Sequence, residues 1–420
     1  MPAVSRRARF VLQMPMSLLL VVTLAAGCGG AGSGAAAKTA PADDWDAVLA
    51  EADGQTLHWY LYGGDDALNT FVEEEVAPRL ADLGITLDPV RIDDTADAVN
   101  KVLGEKQAGR TSGGSVDAIW INGENFATGV QADLWRCGWA DDLPNATYVD
   151  LGSPAVTTDF GTPVDDCESA WQQASSALVY DSAELGAADV ASVSALLDWA
   201  ADNPGRFTYP AVPDFTGSMA VRTILYDTIG GPQSLAGPFD KDSSTYTDAA
   251  DALWSRLQAA EPSLWRGGKT YPASQEQVEG LYADGEISAY FTYGPGAVGQ
   301  QVTDGLYPAT TREAVPSVGN ISNVSFLTIP DNAEHQAAAL VLANILQDPE
   351  VQLALFEANG TYPAIDVSRT SQEIQAAFAA VELSPAVLSL DELTATAQPE
   401  LASGYLEALE LGWTAEVLQK

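Results

Sequence analysis

The feature that most constrains this chain is a strict alternation of element types between residues 56 and 131. "TLHWYLYGG" is an apolar, aromatic run stopped by two glycines, and the apolar residues after it, Leu68, Phe71, Val72, Val76, Leu80 and Leu83, recur at steps of three and four. That spacing lays one stripe on a helix, with a kink expected at Pro78 and an end at Gly84. "ITLDPVRI" reads as a second strand. "DDTADAVNKVLGEKQAGR" repeats the helical spacing, with Asp94 or Thr95 as N-cap and Gly109 near its end, and "AIWI" follows as a third strand. The order β-α-β-α-β implies a parallel sheet joined by crossover helices.

The third strand runs into "NGENF". An Asn-Gly pair behind an apolar run is a strong hairpin signal, because both residues accept positive φ. Here, however, Val130 and Leu134 follow four apart, the spacing of one helical face. The segment therefore reads as strand, polar loop, helix. In open parallel sheets ligands sit beyond the carboxyl ends of the strands. "YGGDDALN" and "NGENF" emerge at that same edge and can face one ligand.

The second half uses the same logic with other spacings. "RFTYP" reads as a strand, followed by a Pro-rich turn and a helix from about Thr216 that turns Met219, Ile224 and Leu225 inward. "SQEQVEGLYADGE" opens with a capping box of Ser274 and Gln277 and leads to the strand "ISAYFTYG", which ends near Tyr293. "NVSFLTIP" is a later apolar strand returning the chain to the first lobe. Two helices broken at Asp348-Pro349 come next, with Asp348 as N-cap. The remainder to Lys420 reads as helical. No fixed-period repeat is present, and no second apolar run is long enough to span a membrane.

The first residues belong to a different class of segment. Arg6, Arg7 and Arg9 precede "MPMSLLLVVTLAAGC", an apolar stretch too short to span a bilayer comfortably and closed by small residues, which is the pattern of an export signal. Ala26 and Gly27 before Cys28 resemble a bacterial lipobox, in which the thiol is lipidated; plain secretion is the alternative. "GGAGSGAAAKTAPADD" then has the composition of a flexible tether. Removing the leader takes three of the 19 basic residues and leaves 16 against 58 acids, a formal charge of −42. Nucleic acid is thereby excluded as a partner, since binding it needs clustered Lys and Arg. Cys137 and Cys167 remain as an even pair in an exported chain, which predicts a disulfide, with two separate buried thiols as the alternative.

Catalytic signatures are absent. The chain has two histidines, His58 and His335, and neither a G-x-S-x-G nor an H-E-x-x-H pattern, so a serine hydrolase or zinc protease is not expected. "SLWRGGKT" has Ser263 where a phosphate-binding loop needs its first glycine, and no strand leads into it. No metal site and no cofactor are expected. An exported, tethered, two-lobe α/β protein without such a signature reads as a receptor for a small solute. An exported carbohydrate-active enzyme using paired carboxylates is the competing reading, and a structural adhesin is a third.

"YGGDDALNTF", "DDTADAVNKVLGEKQAGR", "GSVDAIWINGENF", "DLPN", "DFGTPV", "PDFTGS" and "ISNVSFLTIP" resemble, in this order, the YnjB family of ABC-transporter substrate-binding proteins. These are bacterial extracellular solute-binding proteins of the thiamine, iron and polyamine receptor class. The likeness runs from about residue 45 to 365. It implies an α/β, two-lobed periplasmic-binding-protein-like clamshell of type II, each lobe a mainly parallel sheet flanked by helices. It also implies capture of a small solute, with a cationic, thiamine-like one as the first expectation, delivery to an ABC permease, no catalysis, and a monomer held at the bacterial membrane by its N-terminal lipid. The expected division is a signal peptide over 1–27, a lipid-anchored tether over 28–44, a first lobe over 45–165, a second lobe over 166–315, and a return to the first lobe with C-terminal helices over 316–420. The resemblance sets Gly64, Asp65, Asn69, Asn122, Glu124 and Asn125 on one jaw. Trp171, Phe215, Thr216, Ser218 and Tyr293 form the other, with Asn323 near the hinge.

Overall fold

The computed structural model describes residues 44–419 except Pro295, together with Ala42. The expected signal peptide, Cys28 and most of the tether lie outside the described residues. The folded part opens with α1 (Trp45–Ala52), capped by Asp44, and β1 (Thr56–Tyr62). The long helix expected next is three pieces: α2 (Asp66–Phe71), a π turn over Val72–Val76, and α3 (Ala77–Asp82). Pro78 lacks the N–H that would reach back to Glu74, and the break falls just before it. The chain accommodates this with Ala77 N–H donating to the Val72 carbonyl, one residue beyond the α-helical partner.

β2 (Thr86–Ile92), α4 (Thr95–Gln107), β3 (Ala118–Ile121) and α5 (Glu124–Gln131) follow as the alternation predicts. Asp94 caps α4, accepting from Ala96 N–H at 2.8 Å. β1 pairs in parallel with both β2 and β3. Pro89 is tolerated in β2 because that strand is the edge of the sheet.

The chain then passes through α6 (Pro154–Thr157) and a small hairpin of β4 (Thr158–Asp159) and β5 (Thr162–Pro163) into β6 (Glu168–Ser175). The predicted disulfide joins Cys137 to Cys167. β7 (Ala177–Asp181) begins two residues after β6 ends but belongs to another sheet. α7 (Val193–Asp202), α8 (Phe215–Ile229), α9 (Ser244–Ala260), α10 (Gln275–Ala283), β8 (Ala289–Thr292), α11 (Gly296–Thr303) and β9 (Thr311–Ala314) complete this second region. β10 (Asn320–Thr328) returns to the first sheet, followed by α12 (Gln336–Leu346), α13 (Pro349–Asn359), β11 (Tyr362–Pro363), α14 (Gln372–Ala380), α15 (Leu390–Ala395), β12 (Ala397–Gln398) and α16 (Ser403–Trp413). Asp348 caps α13 and Pro349 takes its first position, where no N–H is needed.

The larger sheet has the order β11-β6-β10-β3-β1-β2, with β12 beside β10; the smaller is β8-β7-β9. Among the described strands, parallel pairing joins β1 to β2 and β3, and β10 to β12. β10 is antiparallel to β3 and β6, and both pairs of the smaller sheet are antiparallel. The crossover strands cause this: a chain that leaves one sheet for the other and returns must come back in the opposite sense. "RFTYP" contributes only a parallel bridge from Phe207 to Ala289. The capping box expected at α10 does not form: Ser274 is the N-cap but makes no side-chain cap bond, and Gln277 accepts the N–H of Ala273 (2.9 Å).

The two crossings lie side by side. Ser176 N–H donates to the Ile321 carbonyl and Ile321 N–H to Ser176 Oγ, both at 2.8 Å, and the hydroxyls of Ser175 and Ser322 are 2.6 Å apart. The larger sheet is covered by α1 and α12 on one face and by α4 and α5 on the other. α16 packs its Leu406, Leu409 and Trp413 into the core built on the smaller sheet, beside α8 and α9.

Candidate functional site

The carboxyl ends of β1 and β3 turn their loops toward the N-terminal ends of α8 and α10. Tyr62, the last residue of β1, donates its hydroxyl to Glu276 on α10. Gly64 lies directly beneath this contact: a Cβ there would stand 2.2 Å from the Tyr62 hydroxyl and 2.5 Å from Glu276 Oε1. Asp65 caps α2 by accepting from Leu68 N–H at 2.9 Å. Asn69 donates to the Gly63 carbonyl at 2.8 Å, while its own Oδ1 is buried without a hydrogen-bond donor. Opposite them, Asp214 accepts from Gly217 N–H (2.8 Å) with one oxygen and from Gln275 N–H (3.2 Å) with the other. Burial, reinforced by Glu276, Asp65 and Asp214, pushes the Glu279 carboxyl up to about 7.

A second group surrounds the loop after β3. Gly123 has φ +65° and ψ −133°, a conformation open to glycine alone, so the Asn-Gly pair makes a strand-to-helix corner and no hairpin. That corner aims Gly123 N–H at the buried Asp159, 2.7 Å away. Glu124 begins α5, with its Oε2 buried and unpartnered. Burial raises its carboxyl to about 7, with Glu410 and Glu400 adding to the rise and Arg222 opposing it. Asp159 is driven to about 8 by burial, against the pull of the Gly123 hydrogen bond.

Arg222 is the one cation in this group. Its Nε and Nη2 meet Glu400 at 2.9 and 3.0 Å in a two-point pair, and its Nη1 donates to Ser218 Oγ at 2.7 Å. The paired side chains are 1% and 3% exposed. Ser218 in turn donates to Glu410 on α16 at 2.7 Å. Tyr293 donates its hydroxyl to Glu400 and accepts from Asn323 Nδ2 at 2.7 Å. The rings of Phe160, Phe215 and Tyr293 line up with centroid spacings of 6.4 and 5.2 Å, and Phe215 is 39% exposed. A cavity of about 70 Å³ opens between Asp159, Phe160, Asn323 and Glu400.

Of the residues expected from sequence, Glu124, Phe215, Ser218, Tyr293 and Asn323 therefore gather around the Arg222–Glu400 pair. Gly64, Asp65 and Asn69 form the other group, next to Tyr62 and Glu276. Asp214, before α8, stands in that group, and Phe215 and Ser218 stand in the second, so one helix start joins the two. Asn122 and Asn125 are half-buried in the corner after β3, and Thr216 is buried in the first turn of α8. Trp171 is not beside the second jaw. It lies on β6 in the larger sheet, fully buried, with its ring edge-on to Trp59 and Trp120. β6 precedes the crossing, so its side chains pack into the core of the first sheet.

Arg222, Glu400, Glu410, Asp159, Tyr62 and Glu276 were not singled out by sequence. Arg222 carries a usable signal: it is the one charge inside the otherwise apolar "SMAVRTIL", four residues after Ser218 and so on the same helical face. The carboxylates carry none, because 58 acids are spread along the chain.

Comparison with known proteins fits this geometry. The family described as bacterial extracellular solute-binding protein matches residues 76–381. Protein YnjB of Escherichia coli is 38% identical over 312 residues, covering 74% of this chain and 79% of that protein. Among solved structures, an ABC transporter substrate-binding protein from Bradyrhizobium japonicum superposes with a TM-score of 0.61 at 18% identity, covering 86% of this chain and 99% of that one. A putative spermidine/putrescine ABC transporter protein from Listeria monocytogenes gives 0.60 at 15%, covering 87% and 99%. The periplasmic binding protein MotA of A. tumefaciens, solved with glucopine, gives 0.60 at 16% with the same coverage. At these identities the likeness is one of fold, the two-lobed type II binding-protein architecture.

Proposed function

The chain belongs to the bacterial extracellular solute-binding protein family, and from that premise we propose that it is the extracytoplasmic binding subunit of an ABC importer, capturing a small cationic solute between two lobes. In this reading it hands the solute to a membrane permease and makes or breaks no bond. The lobes meet along the paired crossings at residues 175–177 and 315–320, and an N-terminal lipid on Cys28 holds the monomer at the membrane. The observation that carries a cationic solute is the charge balance at the strand ends. Glu124, Glu400 and Glu410 share the single guanidinium of Arg222, with Asp159 beside Glu124 and Glu400, and Glu279 stands among Asp65, Asp214 and Glu276.

Exposed Phe215, its ring tilted against that of Tyr293, supports a planar, partly aromatic cation of the thiamine type, because an aromatic face attracts such a ring and its charge together. A polyamine would use the carboxylates alone. Closure is driven by the affinity of the solute for the closed state over the open one. The glycan-cleaving alternative gains nothing from the family.

Thermal unfolding with thiamine, its phosphates, putrescine, spermidine, neutral sugars and ferric complexes tests the reading. A ligand at about 100 times its dissociation constant adds roughly 2.7 kcal/mol to stability. A selective shift with thiamine or a polyamine is the expected result. Shifts with neutral sugars alone, or none after mass spectrometry has excluded a copurified ligand, would overturn the cationic assignment.

A further inference from the structure

The two histidines of the chain, distant in sequence, meet at one buried carboxylate. His58 is the third residue of β1, Asp117 precedes β3, and His335 precedes α12. Asp117 is fully buried, and its oxygens accept the backbone N–H groups of His58 (2.9 Å) and His335 (2.8 Å). Both imidazoles then bring the same ring nitrogen to the same oxygen: His58 Nδ1 is 2.9 Å and His335 Nδ1 is 3.1 Å from Asp117 Oδ2. All three atoms lie within 4.8 Å of one another.

We propose that His58, Asp117 and His335 form a binding site for a divalent transition metal, Zn²⁺ in particular, through the two Nδ1 atoms and Asp117 Oδ2. The donor set argues for this class. Two imidazoles and one carboxylate suit zinc and its neighbours, whereas calcium and magnesium take oxygen ligands. The spacing argues for it too. Ligands about 2.0–2.2 Å from a tetrahedral Zn²⁺ stand roughly 3.4 Å apart, so small rotations of the rings open the present contacts enough to admit the ion. The two imidazoles are partly open to solvent, their side chains 36% and 21% exposed, while Asp117 is fully buried.

An outer partner is also in place. The far nitrogen of His58, Nε2, faces Asp88 Oδ2 at 3.7 Å, and a metal-bound imidazole characteristically directs its other N–H to a carboxylate. A ring that binds metal through Nδ1 carries its proton on Nε2, the nitrogen that His58 turns to Asp88. A hydrogen-bond cluster alone does not call for this arrangement, because Asp117 is already served by two backbone N–H groups.

The site stands at the start of the strands. Four residue steps along β1, about 13 Å, separate His58 from Tyr62 at the opposite end of the strand. The bound ion therefore ties β1, the entry to β3 and the start of α12 together without touching the solute groups.

The test is a Zn²⁺ titration of chelator-stripped protein against a chromophoric competitor, repeated with Co²⁺ to read its visible spectrum. Variants are His58→Asn and His335→Asn, whose side-chain amides still donate to Asp117 but are poor metal ligands, and Asp88→Asn. The expected result is one equivalent of Zn²⁺, a Co²⁺ spectrum of low coordination number, and an unfolding midpoint raised by the metal. Affinity should fall about tenfold in Asp88→Asn and more in each His→Asn variant, with their metal-free unfolding midpoints near that of the parent. The proposal is overturned if no Zn²⁺ binds, or if binding survives both His→Asn substitutions unchanged, which would assign the ion to surface carboxylates or Cys28.

Discussion

Replacing Arg222 by Met should be the most destabilising single change near the site, and the reason is countable. Arg222 donates three hydrogen bonds of 2.7–3.0 Å, two to Glu400 and one to Ser218, in surroundings where its side chain is 1% exposed. Met fills much the same volume and leaves the carboxylate of Glu400 buried with the hydroxyl of Tyr293 as its remaining donor. Removing one partner of such a pair costs about 3–5 kcal/mol, while replacing both by neutral groups of similar shape is close to neutral. Urea unfolding of the parent, Arg222→Met, Glu400→Gln and the double variant at one pH gives all four corners of the cycle. We expect a loss of about 3–5 kcal/mol in the first variant and recovery of most of it in the double. A loss under about 1 kcal/mol, or a double variant no more stable than Arg222→Met, would refute the argument that the pair is electrostatically closed.

Asp159, raised to about 8, and Glu124, raised to about 7, keep protons in the folded chain that the unfolded chain releases near pH 4. Their contribution is complete below about pH 4 and is lost as pH rises through 7 to 8. Asp159→Asn should flatten the stability profile between pH 5 and 8 by up to about 1.4 kcal/mol per pH unit, and an unchanged slope would count against the buried carboxyl. Reducing Cys137–Cys167, which closes a separation of 30 residues, should cost about 3–4 kcal/mol; an unfolding midpoint indifferent to reductant would contradict this. Gly64→Ala should displace the Tyr62 hydroxyl from Glu276, because the new Cβ would stand 2.2 Å from it. Solute affinity should then fall about tenfold, the worth of one charge-assisted hydrogen bond, with the unfolding midpoint little changed; equal affinity would show that the contact plays no part in closure.

What was legible in the sequence divides along a physical line. Periodicity reports the faces of elements, so β1 to α5, the Asp94 cap and the Asp348-Pro349 break were all readable from local pattern. Strand direction is not local. The antiparallel smaller sheet and the reversal at β10 arise because the chain crosses between sheets at Ser176 and again before Asn320, and no window of residues records that. Trp171 shows the same limit: its neighbours predict an apolar strand, but which sheet owns that strand depends on pairing with β10, more than a hundred residues later. Around the site, glycines and aromatics at strand ends could be found because the loops there have unusual composition. Glu400 and Glu410 could not, because they reach Arg222 and Ser218 from a C-terminal segment whose own sequence is unremarkable.

This long-range assembly bears on how the two jaws close. The loop after β3 supplies Glu124, α8 supplies Arg222 and Ser218, and the C-terminal segment supplies Glu400 and Glu410. Bringing them together gathers these three carboxylates around one guanidinium, with Asp159 beside Glu124 and Glu400, while Asp65 stands with Asp214, Glu276 and Glu279 in the other group. Burial first, with the neighbouring carboxylates adding to it, raises Glu124, Asp159 and Glu279, a cost met by holding protons. Under the proposed function a cation entering between the jaws replaces those protons. Its affinity then has to increase as pH rises through about 7, because the carboxylates it pairs with are released to it. A neutral solute would show no such dependence, so the pH profile of binding reads the charge of the ligand independently of its identity.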